Sequence, residues 1–346
     1  MFHLATRMAL AIAFFAAATA WARGADGDFY EGKQIQLICS SEPGAVYDVY
    51  ARLLAKYMPN YIPGQPTMIV QNMPGAGGLK ATNYIANIAP RDGTVFVGTI
   101  SGIPTSALMT PELAKFDVNN LSWIGSITKD PFIGYVWHTA PIQTLEDAKK
   151  IPVTMGATTA GTGGVDMVIL ADAFFGFKFK LVAGYKDTLE VKLAMEKGEI
   201  DGTFANGWGD LKTLNYDWIR DGKVRIIVQH GFEKHPELPD VPLFMDQAKN
   251  EADRQALVLM LSRQEASKPF FGPPGLPPAR LAILRHAFDA AIRDPGFVQD
   301  AATAHLAVEG PMNGDQLAAM VAQVSATPLS VVERVKSTLA NYHDGQ

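Results

Sequence analysis

Short apolar runs alternate with segments of helical periodicity over the first hundred residues of the chain. QIQLICS (34–40), PTMIVQNM (66–73) and DGTVFVGTIS (92–101) each predict a β-strand, because they are short, apolar and bounded by turn residues. Residues 48–58 predict a helix, and residues 74–89 predict a Gly-rich turn that leads into another. Strands separated by helices of this length indicate an α/β fold with a parallel, doubly wound sheet.

A second series of the same kind follows a Gly-broken apolar stretch. Residues 153–157 predict a strand, TTAGTGG (158–164) is the turn after it, and a helix is expected from about Val165. KFKLVAGY (178–185) predicts the next strand, and residues 188–201 predict the helix that follows. Two similar α/β lobes are therefore expected, although neither series repeats the other residue for residue.

The two series indicate a chain that builds one lobe, crosses to a second and returns, as in a hinged clamshell. We expect residues 23–127 and 238–346 to form the first lobe and residues 128–237 to form the second. The two hinge segments are expected near 124–135 and 228–243. Because ligands of such sheets bind beyond the carboxyl ends of the strands, we expect a ligand between the lobes.

The first 22 residues differ from the rest of the chain. Arg7 precedes an apolar run that ends in small residues, with Ala20 and Ala22 at the spacing of an A-x-A cleavage site. This is the plan of a secretory signal peptide, residues 1–22, and an uncleaved anchor is the alternative. Export, together with a single cysteine, Cys39, that cannot form an internal disulfide, indicates a soluble protein of the bacterial periplasm.

Charge excludes several classes of partner. Without residues 1–22 the chain has 29 basic and 35 acidic residues, a net charge of −6, and its Lys and Arg residues do not cluster. Neither nucleic acid nor an acidic membrane surface is therefore expected as a partner. Since net charge would not attract an anionic ligand, local backbone dipoles would have to hold it.

The first candidate ligand loop is SEPGAVYD (41–48), between the first strand and its helix. Gly44 permits a positive φ, and the N–H groups at the start of the following helix can bind a carboxylate or phosphate without a cationic side chain. An ordinary turn with Asp48 as the helix N-cap explains the same residues. Local sequence leaves both interpretations open.

The second candidate loop, TTAGTGG (158–164), occupies the corresponding place in the second series. Its three glycines and three threonines offer many free donors, and its place between a strand and a helix favours ligand binding over a plain linker. NMPGAGG (72–78) lacks the Lys-Ser/Thr pair of a Walker loop and the spacing of a dinucleotide-binding loop. No cofactor is therefore expected.

Catalytic motifs are not evident. The histidines beyond residue 22 show no zinc-binding spacing, and neither a G-x-S-x-G elbow nor a Cys–His pair is present. No catalytic residue and no metal site are therefore expected. Tyr47, Tyr185, Asn206 and Trp208 follow strand-like segments and are candidates for a cleft lining, with burial in the core as the alternative for the aromatic residues.

Together these segments resemble the Bug-type extracytoplasmic solute receptors of the tripartite tricarboxylate transporter family. The most specific carriers of the resemblance are NMPGAGG…ANIAPRDGT (72–94) and HPELPDVP (235–242), and the likeness covers roughly residues 29–340. It implies a type II periplasmic binding protein with two α/β lobes that close on a small organic anion, often a carboxylate. It also implies that backbone N–H groups and bridging waters, offered by one loop from each lobe, hold the ligand.

Carried onto this chain, the resemblance places ligand contacts in loops 42–48 and 158–164, with Asp48 and Tyr185 at positions of a family aspartate and tyrosine. The expected ligand-binding residues are Pro43, Gly44, Ala45, Val46, Tyr47, Asp48, Thr99, Ser101, Thr158, Thr159, Gly161, Thr162, Gly163, Gly164, Tyr185 and Asn206.

The first loop departs from the family's pattern. Ala45 replaces a glycine, Val46 replaces a hydroxyl residue and Tyr47 adds bulk. Each lost hydroxyl donor would weaken a bound carboxylate by about 1 kcal/mol. We therefore expect an acid with an aromatic or apolar part rather than a C4-dicarboxylate or citrate, and Phe204 and Trp208 point the same way.

The expected function is capture of one small carboxylate and its delivery to the permease subunits of a membrane transporter, by a monomer without catalytic activity. A solute sensor that presents the ligand to a sensor kinase is the alternative, and the sequence does not separate the two. An exported enzyme is a third possibility, disfavoured because metal, nucleophile and cofactor motifs are lacking.

Overall fold

The computed structural model describes residues 28–158 and 162–344. The expected signal peptide and two expected ligand residues, Thr159 and Gly161, lie outside these ranges. The described residues form eleven strands: β1 Gln34–Cys39, β2 Thr67–Asn72, β3 Val95–Gly98, β4 Ser122–Ser126, β5 Phe132–Trp137, β6 Val153–Gly156, β7 Phe179–Val182, β8 Gly202–Gly207, β9 Val224–His230, β10 Pro269–Gly272 and β11 Met312–Asn313. Their twelve α-helices are α1 Val46–Tyr57, α2 Leu79–Asn87, α3 Ile103–Met109, α4 Gly163–Phe175, α5 Thr188–Glu196, α6 Trp208–Leu214, α7 Tyr216–Arg220, α8 Glu251–Glu265, α9 Pro278–Ala291, α10 Pro295–Thr303, α11 Gly314–Ser325 and α12 Leu329–Asp344.

The strands form two mixed sheets. The order of the first sheet is β11-β4-β10-β3-β1-β2, and the order of the second is β7-β6-β8-β5-β9. β1 runs parallel to β2 and β3, and β6 runs parallel to β7 and β8, as the alternation of strands and helices predicts. Apart from the edge strand β11, both sheets arrange their strands in the same way, so the expectation of two similar α/β lobes is confirmed.

The described chain divides into two compact units. The first unit contains the described residues up to Ile103, together with Leu113–Ile127 and Lys268–Ala318. The second unit contains Pro104–Glu112, Thr128–Ser267 and the residues from Ala319 onward. Each unit carries one of the two sheets, and each takes its helices from several parts of the chain.

These units differ in part from the expected lobes. The chain leaves the first unit after Ile127, within the expected segment 124–135. The second expected hinge segment, 228–243, lies inside the second unit, because the chain returns only after Ser267. Residues 104–112, 238–267 and those from Ala319 onward therefore belong to the second unit and not, as expected, to the first.

Hydrogen bonds and helix packing hold residues 238–267 in the second unit. Gln229, near the end of β9, donates from Nε2 to the carbonyl oxygens of Leu238 (2.8 Å) and Val241 (2.7 Å). Helix α8 packs against α12, and Ser267 N donates to Thr128 O across 3.1 Å. These contacts join segments that are far apart along the chain, so the local helical pattern does not reveal them.

Each sheet also contains a strand that runs against its neighbours, which a purely parallel sheet would not include. The two-residue edge strand β11 pairs antiparallel with β4. Inside the sheets, β10 pairs antiparallel with β3 and β4, and β5 pairs antiparallel with β8 and β9. Both strands closely follow a point where the chain passes from one unit to the other. A strand that enters in this way is not part of a βαβ crossover. It is the βαβ crossover that makes successive strands of a sheet run parallel.

The core of each unit is formed by buried strands and the helix faces that pack on them. In the first unit, Leu37 of β1, Leu54 of α1 and Phe288 of α9 are fully buried in one cluster. In the second unit, Tyr135 of β5 and Met195 of α5 are fully buried together. Since burying such a side chain stabilises a fold by about 1.5–3 kcal/mol, the loops at the strand ends are anchored in well-packed sheets.

Cys39, in β1, is a free cysteine and is fully buried. A buried free cysteine of this kind packs as a small apolar residue. In the described part of the chain, no helix is both long enough and apolar enough to cross a membrane.

Candidate functional site

A cavity of about 250 Å³ lies in the second unit, beside the ends of β6 and β8. Five expected ligand-binding residues line it: Thr158, Thr162, Gly163, Gly164 and Asn206. Lining residues that the sequence did not single out are Asp130, Phe132, Ala157, Thr188, Val191, Thr203, Ala205, Gly207 and Asp210. The cavity is where a sheet of this kind places a ligand, beyond the carboxyl ends of its parallel strands.

The N-terminus of α4 forms one end of this cavity. Thr162 is the N-cap residue, with an extended backbone and no side-chain capping bond, so α4 begins at Gly163 and Gly164 without a side-chain acceptor. The hydroxyl oxygens of Thr158 and Thr162 lie 3.4 Å apart at the same end. Because a helix start carries partial positive charge and N–H donors, this arrangement suits an anion such as a carboxylate.

Gly163 keeps this end of the cavity compact. A Cβ atom added to Gly163 would lie 2.8 Å from Cε2 of Phe132, closer than real Cβ contacts. The absence of a side chain therefore allows the Phe132 ring to pack against the loop. A Cβ atom on Gly164 would meet Ala157 Cβ at 3.4 Å, which leaves some room for a side chain.

The β8 edge of the cavity is polar but mostly buried. Asn206 donates from Nδ2 to the Tyr135 hydroxyl across 3.1 Å and accepts from Gly207 N across 2.9 Å. Burial raises the pKa of Tyr135 to about 12, against the effect of the hydrogen bond from Asn206, so Tyr135 stays a neutral partner. Asn206 is held in one orientation as a result, with 7% of its surface exposed.

Two acidic side chains approach each other at the same edge. A Cβ atom on Gly207 would lie 3.4 Å from Asp130 Oδ1 and 3.6 Å from Asp210 Oδ2, so these two oxygens are no more than 7.0 Å apart. Of the described residues that line the cavity, none is a lysine, arginine or histidine. The cavity therefore combines a helix start that favours anions with a wall that is acidic.

The first candidate loop, in the first unit, is organised by Asp48. Gly44 has φ of +81°, as a glycine turn predicts. Asp48 Oδ2 accepts from Gly44 N and from Arg52 Nε, both at 2.8 Å, and Oδ1 accepts from Asn72 Nδ2 at 2.8 Å. Burial by itself would raise the pKa of Asp48, but these hydrogen bonds and the charge of Arg52 hold that pKa below its usual value.

Asp48 is therefore not the N-cap of α1, which was one of the two interpretations of this loop. The helix begins at Val46, and its N-cap, Ala45, makes no side-chain capping bond. Asp48 lies inside the first turn and is 1% exposed, so its carboxylate faces the protein rather than solvent. The start of α1, like that of α4, thus lacks a side-chain acceptor.

The other expected residues of the first unit occupy varied surroundings. Val46 is 54% exposed, Pro43 and Gly44 are exposed, and Tyr47 is half-buried. The Nζ atom of Lys268, a residue that sequence reasoning missed, lies 4.7 Å from the centre of the Tyr47 ring.

Thr99 and Ser101 follow β3 in the same unit. Thr99 is buried, and its hydroxyl donates to Ser40 Oγ across 3.0 Å, whereas Ser101 is half-buried. A Cβ atom on Gly78 would lie 2.8 Å from Thr99 Oγ1, so the NMPGAGG turn packs closely on this pair. The loops after β1, β2 and β3 therefore meet at one edge of the first sheet.

Three aromatic residues considered for the cleft lie elsewhere. Tyr185 packs against the core cluster of the second unit and does not line the cavity. Phe204 is fully buried among aromatic rings, including Phe244. Trp208 is 6% exposed and donates from Nε1 to Glu237 Oε2 across 2.6 Å. Phe204 and Trp208 are core residues, which corrects the interpretation that they favour an apolar ligand.

A wider and more open groove in the first unit has a volume of about 1080 Å³ and is lined by Tyr61, Pro63 and His286, among others. It contains none of the expected ligand-binding residues and does not lie at the ends of β1, β2 and β3. Within residues 28–158 and 162–344, no group of three or more His, Cys, Asp or Glu residues is placed to hold a metal ion.

Comparison with known proteins identifies the family to which the chain belongs. Residues 50–336 match the family described as the tripartite tricarboxylate transporter family receptor, TctC. The chain is 23% identical over 304 residues to a UPF0065 protein of Bordetella pertussis, and the match spans 86% of this chain and 87% of that protein.

Two solved structures extend the comparison. A TctC solute binding protein from Polaromonas has a TM-score of 0.69 and 18% identity, covering 88% of this chain and 99% of that one. R. palustris Rpa4515, solved with adipate, has a TM-score of 0.55 and 18% identity, covering 89% and 97%. These likenesses confirm the expected fold class, the α/β fold of a type II periplasmic binding protein.

Proposed function

This chain belongs to the tripartite tricarboxylate transporter receptor family, and on that premise we propose that it is a periplasmic solute-binding protein. It captures one small organic acid per chain and delivers it to the permease subunits of a tripartite tricarboxylate-type membrane transporter. It acts as a monomer and performs no catalysis. It changes between conformational states, and the bound acid stabilises one of these states more than the other.

The observation that carries this proposal is the uncapped start of α4 in the cavity of the second unit. Gly163 and Gly164 begin the helix there without a side-chain acceptor, next to the hydroxyls of Thr158 and Thr162. A carboxylate placed at these N–H groups would receive hydrogen bonds and the favourable field of the helix. The adipate bound to Rpa4515 is an acid of the same chemical class.

We expect the acid to carry an apolar or aromatic part, which the side chains of the first loop and, separately, those of the cavity favour. Val46, exposed at the start of α1, and half-buried Tyr47 present carbon where hydroxyl groups would otherwise donate. Phe132, Val191 and Ala205 add apolar surface to the lining of the cavity. Apolar surface of a ligand that is removed from water at such residues contributes about 25 cal/mol per Å².

A thermal-shift panel of mono- and dicarboxylic acids tests the binding role. We expect at least one acid to raise the melting temperature and to appear as a one-to-one complex in native mass spectrometry. Gly164→Asp should abolish that shift, because the new carboxylate would repel the ligand while still suiting a helix start. Ala279→Asp, which adds the same charge to the exposed first turn of α9, is the matched control and should retain the shift.

If no acid in the panel shifts the melting temperature, or if both variants lose the shift equally, the proposed binding role is wrong. The transport role is tested separately, by deleting the gene and measuring uptake of the bound acid. Unchanged uptake together with a lost transcriptional response to that acid would point instead to a sensor that meets a kinase.

A further inference from the structure

Lys268 places a buried positive charge at the edge of the first sheet where the first candidate loop lies. It directly precedes β10, and Thr99 N donates to Pro269 O across 3.0 Å, so the start of this antiparallel strand lies beside the carboxyl end of β3. Lys268 is 8% exposed. The first loop was expected to bind an anion without a cationic side chain, so a lysine at this edge requires an explanation.

The ammonium group of Lys268 contacts two tyrosine rings of α1. Its Nζ atom lies 4.7 Å from the centre of the Tyr47 ring and 5.4 Å from the centre of the Tyr50 ring. The two tyrosines are three positions apart, so they share one face of the helix. A cation within about 6 Å of a ring centre is attracted to the ring, and the attraction is stronger where water is excluded. Lys268 therefore stabilises both rings in their observed positions.

The two rings differ in how firmly the rest of the first unit holds them. Tyr50 is 3% exposed, and its hydroxyl donates to Ala307 O across 2.7 Å. Tyr47 is half-buried and follows Val46, which is 54% exposed. Loss of the charge of Lys268 should therefore displace the Tyr47 ring more than the Tyr50 ring.

The backbone of Lys268 is itself fixed by the end of β4. Lys268 N donates to Ser126 Oγ across 3.2 Å, and Lys268 O accepts from Ile127 N across 3.1 Å. Ile127 is the last residue before the chain passes into the second unit, and Lys268 is the first residue after its return. The ammonium group thus extends towards Tyr47 from a point that two hydrogen bonds hold in place.

We propose that Lys268 is a positioning residue for acid binding, which holds the Tyr47 ring so that its open part packs against the apolar or aromatic part of an acid at the first candidate loop. Lys268 does not touch the acid in this arrangement and acts through Tyr47. The inference rests on the proposed binding function, and it names the residue on which the selectivity of the first loop depends.

Titration calorimetry at pH 7 tests the inference with 3-phenylpropanoate, with succinate and with any other acid that binds in the thermal-shift panel. Lys268→Met removes the charge and keeps an unbranched apolar side chain. It should weaken acids with an apolar or aromatic part about ten-fold, as expected for loss of a desolvated cation–π contact, and succinate by about three-fold or less. Lys268→Arg keeps a charge that stacks on aromatic rings and should restore the affinity of the wild-type protein.

A double-mutant cycle shows whether Lys268 acts through Tyr47. Tyr47→Leu should weaken the same acids, and Lys268→Met should then have no further effect on their affinity. Tyr47→Phe keeps the ring and should keep the affinity. Lys56→Met is the matched control, because Lys56 Nζ lies 5.0 Å from the centre of the Tyr57 ring at the other end of α1, and it should leave every affinity unchanged.

The melting temperature of each variant without ligand shows whether a change in affinity accompanies a loss of stability. A purely structural role of Lys268 would lower the melting temperature and weaken all acids alike, including succinate. If Lys268→Met does not fold, Lys268→Gln replaces it, and the comparison of Tyr47→Leu with Tyr47→Phe tests the role of the ring on its own.

Four results overturn the inference and leave the proposed function intact. The acids bind Lys268→Met as tightly as the wild-type protein, or Lys268→Arg fails to restore affinity, or Lys268→Met still weakens binding in the Tyr47→Leu background, or all acids weaken equally. The third result would indicate direct contact between the ammonium group and the carboxylate. If no acid of the panel binds the wild-type protein, the proposed function itself is wrong.

Discussion

Asn72 donates from Nδ2 to Asp48 Oδ1 across 2.8 Å, which joins the end of β2 to the first turn of α1. The same Asn72 amide also donates to Ser41 O across 2.9 Å, and Asp48 Oδ2 accepts from Gly44 N and Arg52 Nε. The buried carboxylate of Asp48 thus fixes the conformation of the first candidate loop by accepting hydrogen bonds from three different residues.

Replacing Asp48 should therefore destabilise the fold. Asp48→Ala would leave the donors of Gly44, Asn72 and Arg52 without their acceptor, at an expected cost of about 2–4 kcal/mol. Asp117→Ala, which removes an exposed side chain that accepts from Asn119 N, should cost about 1 kcal/mol. Urea unfolding followed by circular dichroism measures both, and equal losses would contradict the organising role of Asp48.

His230 should make the stability of the protein depend on mildly acidic pH. Its side chain is fully buried beside Phe204 and Phe244, Nε2 donates to Phe204 O across 2.7 Å, and Nδ1 has no partner among the described residues. Burial lowers the pKa of His230 to about 4, against the effect of that hydrogen bond. The folded protein therefore keeps His230 neutral where the unfolded chain already binds a proton.

The sign follows from that difference in bound protons. As the pH falls from about 6.5 to 4, the unfolded state gains a proton that the folded state refuses, so the free energy of unfolding drops, by on the order of 3 kcal/mol. Below pH 4 this contribution stops changing. Urea midpoints between pH 4 and 8 should fall less steeply for His230→Gln than for the wild-type protein or for His286→Gln, an exposed histidine. Parallel curves for all three would show the prediction to be wrong.

The first candidate loop should control the preference between polar and apolar acids. Ala45→Gly with Val46→Ser restores an open backbone and a hydroxyl donor, so affinity for adipate should rise about five-fold, as expected for one net hydrogen bond. Val46 is already exposed, so the melting temperature without ligand should change little. Calorimetry provides the affinity, and Val298→Ser, at an exposed valine of α10, is the control. An unchanged preference in the double variant would refute a role of this loop in selectivity.

Gly163 should be intolerant of even a methyl group. In Gly163→Ala the new Cβ would press on the Phe132 ring, which should cost about 1–3 kcal/mol of stability and weaken acid binding. Gly209→Ala, where nothing lies within 4 Å of the added Cβ, should be neutral or slightly stabilising. Phe132→Leu added to Gly163→Ala should recover part of the loss of stability, and no recovery would mean that the ring is not the cause.

Local features of the fold followed from local features of the sequence. Gly44 takes the positive φ that its turn requires, and the strand–helix alternation predicts β1, β2 and β3 in parallel pairing. The second candidate loop lies between β6 and α4, as its composition and position predict. These features depend on backbone conformation and on hydrophobic periodicity over a few residues, which a single sequence displays directly.

The candidate site was only partly visible in the sequence. Thr158, Thr162, Gly163 and Gly164 were found because they form one glycine- and threonine-rich segment at a strand end. Asp130 and Thr203 had no such signal, since an isolated Asp after a lysine or a Thr inside a strand occurs in many solvated or structural settings. Asp48 was expected either at the position of a family aspartate or as an N-cap. Its structural role was not visible, because its three partners include Asn72, which is 24 residues away.

Chain segments that are distant in sequence account for the rest. Asp130 and Asp210 meet at Gly207 because β5 pairs with β8, and residues 238–267 join the second unit because Gln229 and α12 hold them there. Hydrophobic periodicity predicts which face of a segment is buried, but it does not predict which other segment packs against that face. That choice depends on the packing of whole sheets and helices. The alternating elements and the two loops are therefore visible in the sequence, whereas the antiparallel strands, the unit boundaries and the acidic wall arise only when the folded chain brings them together.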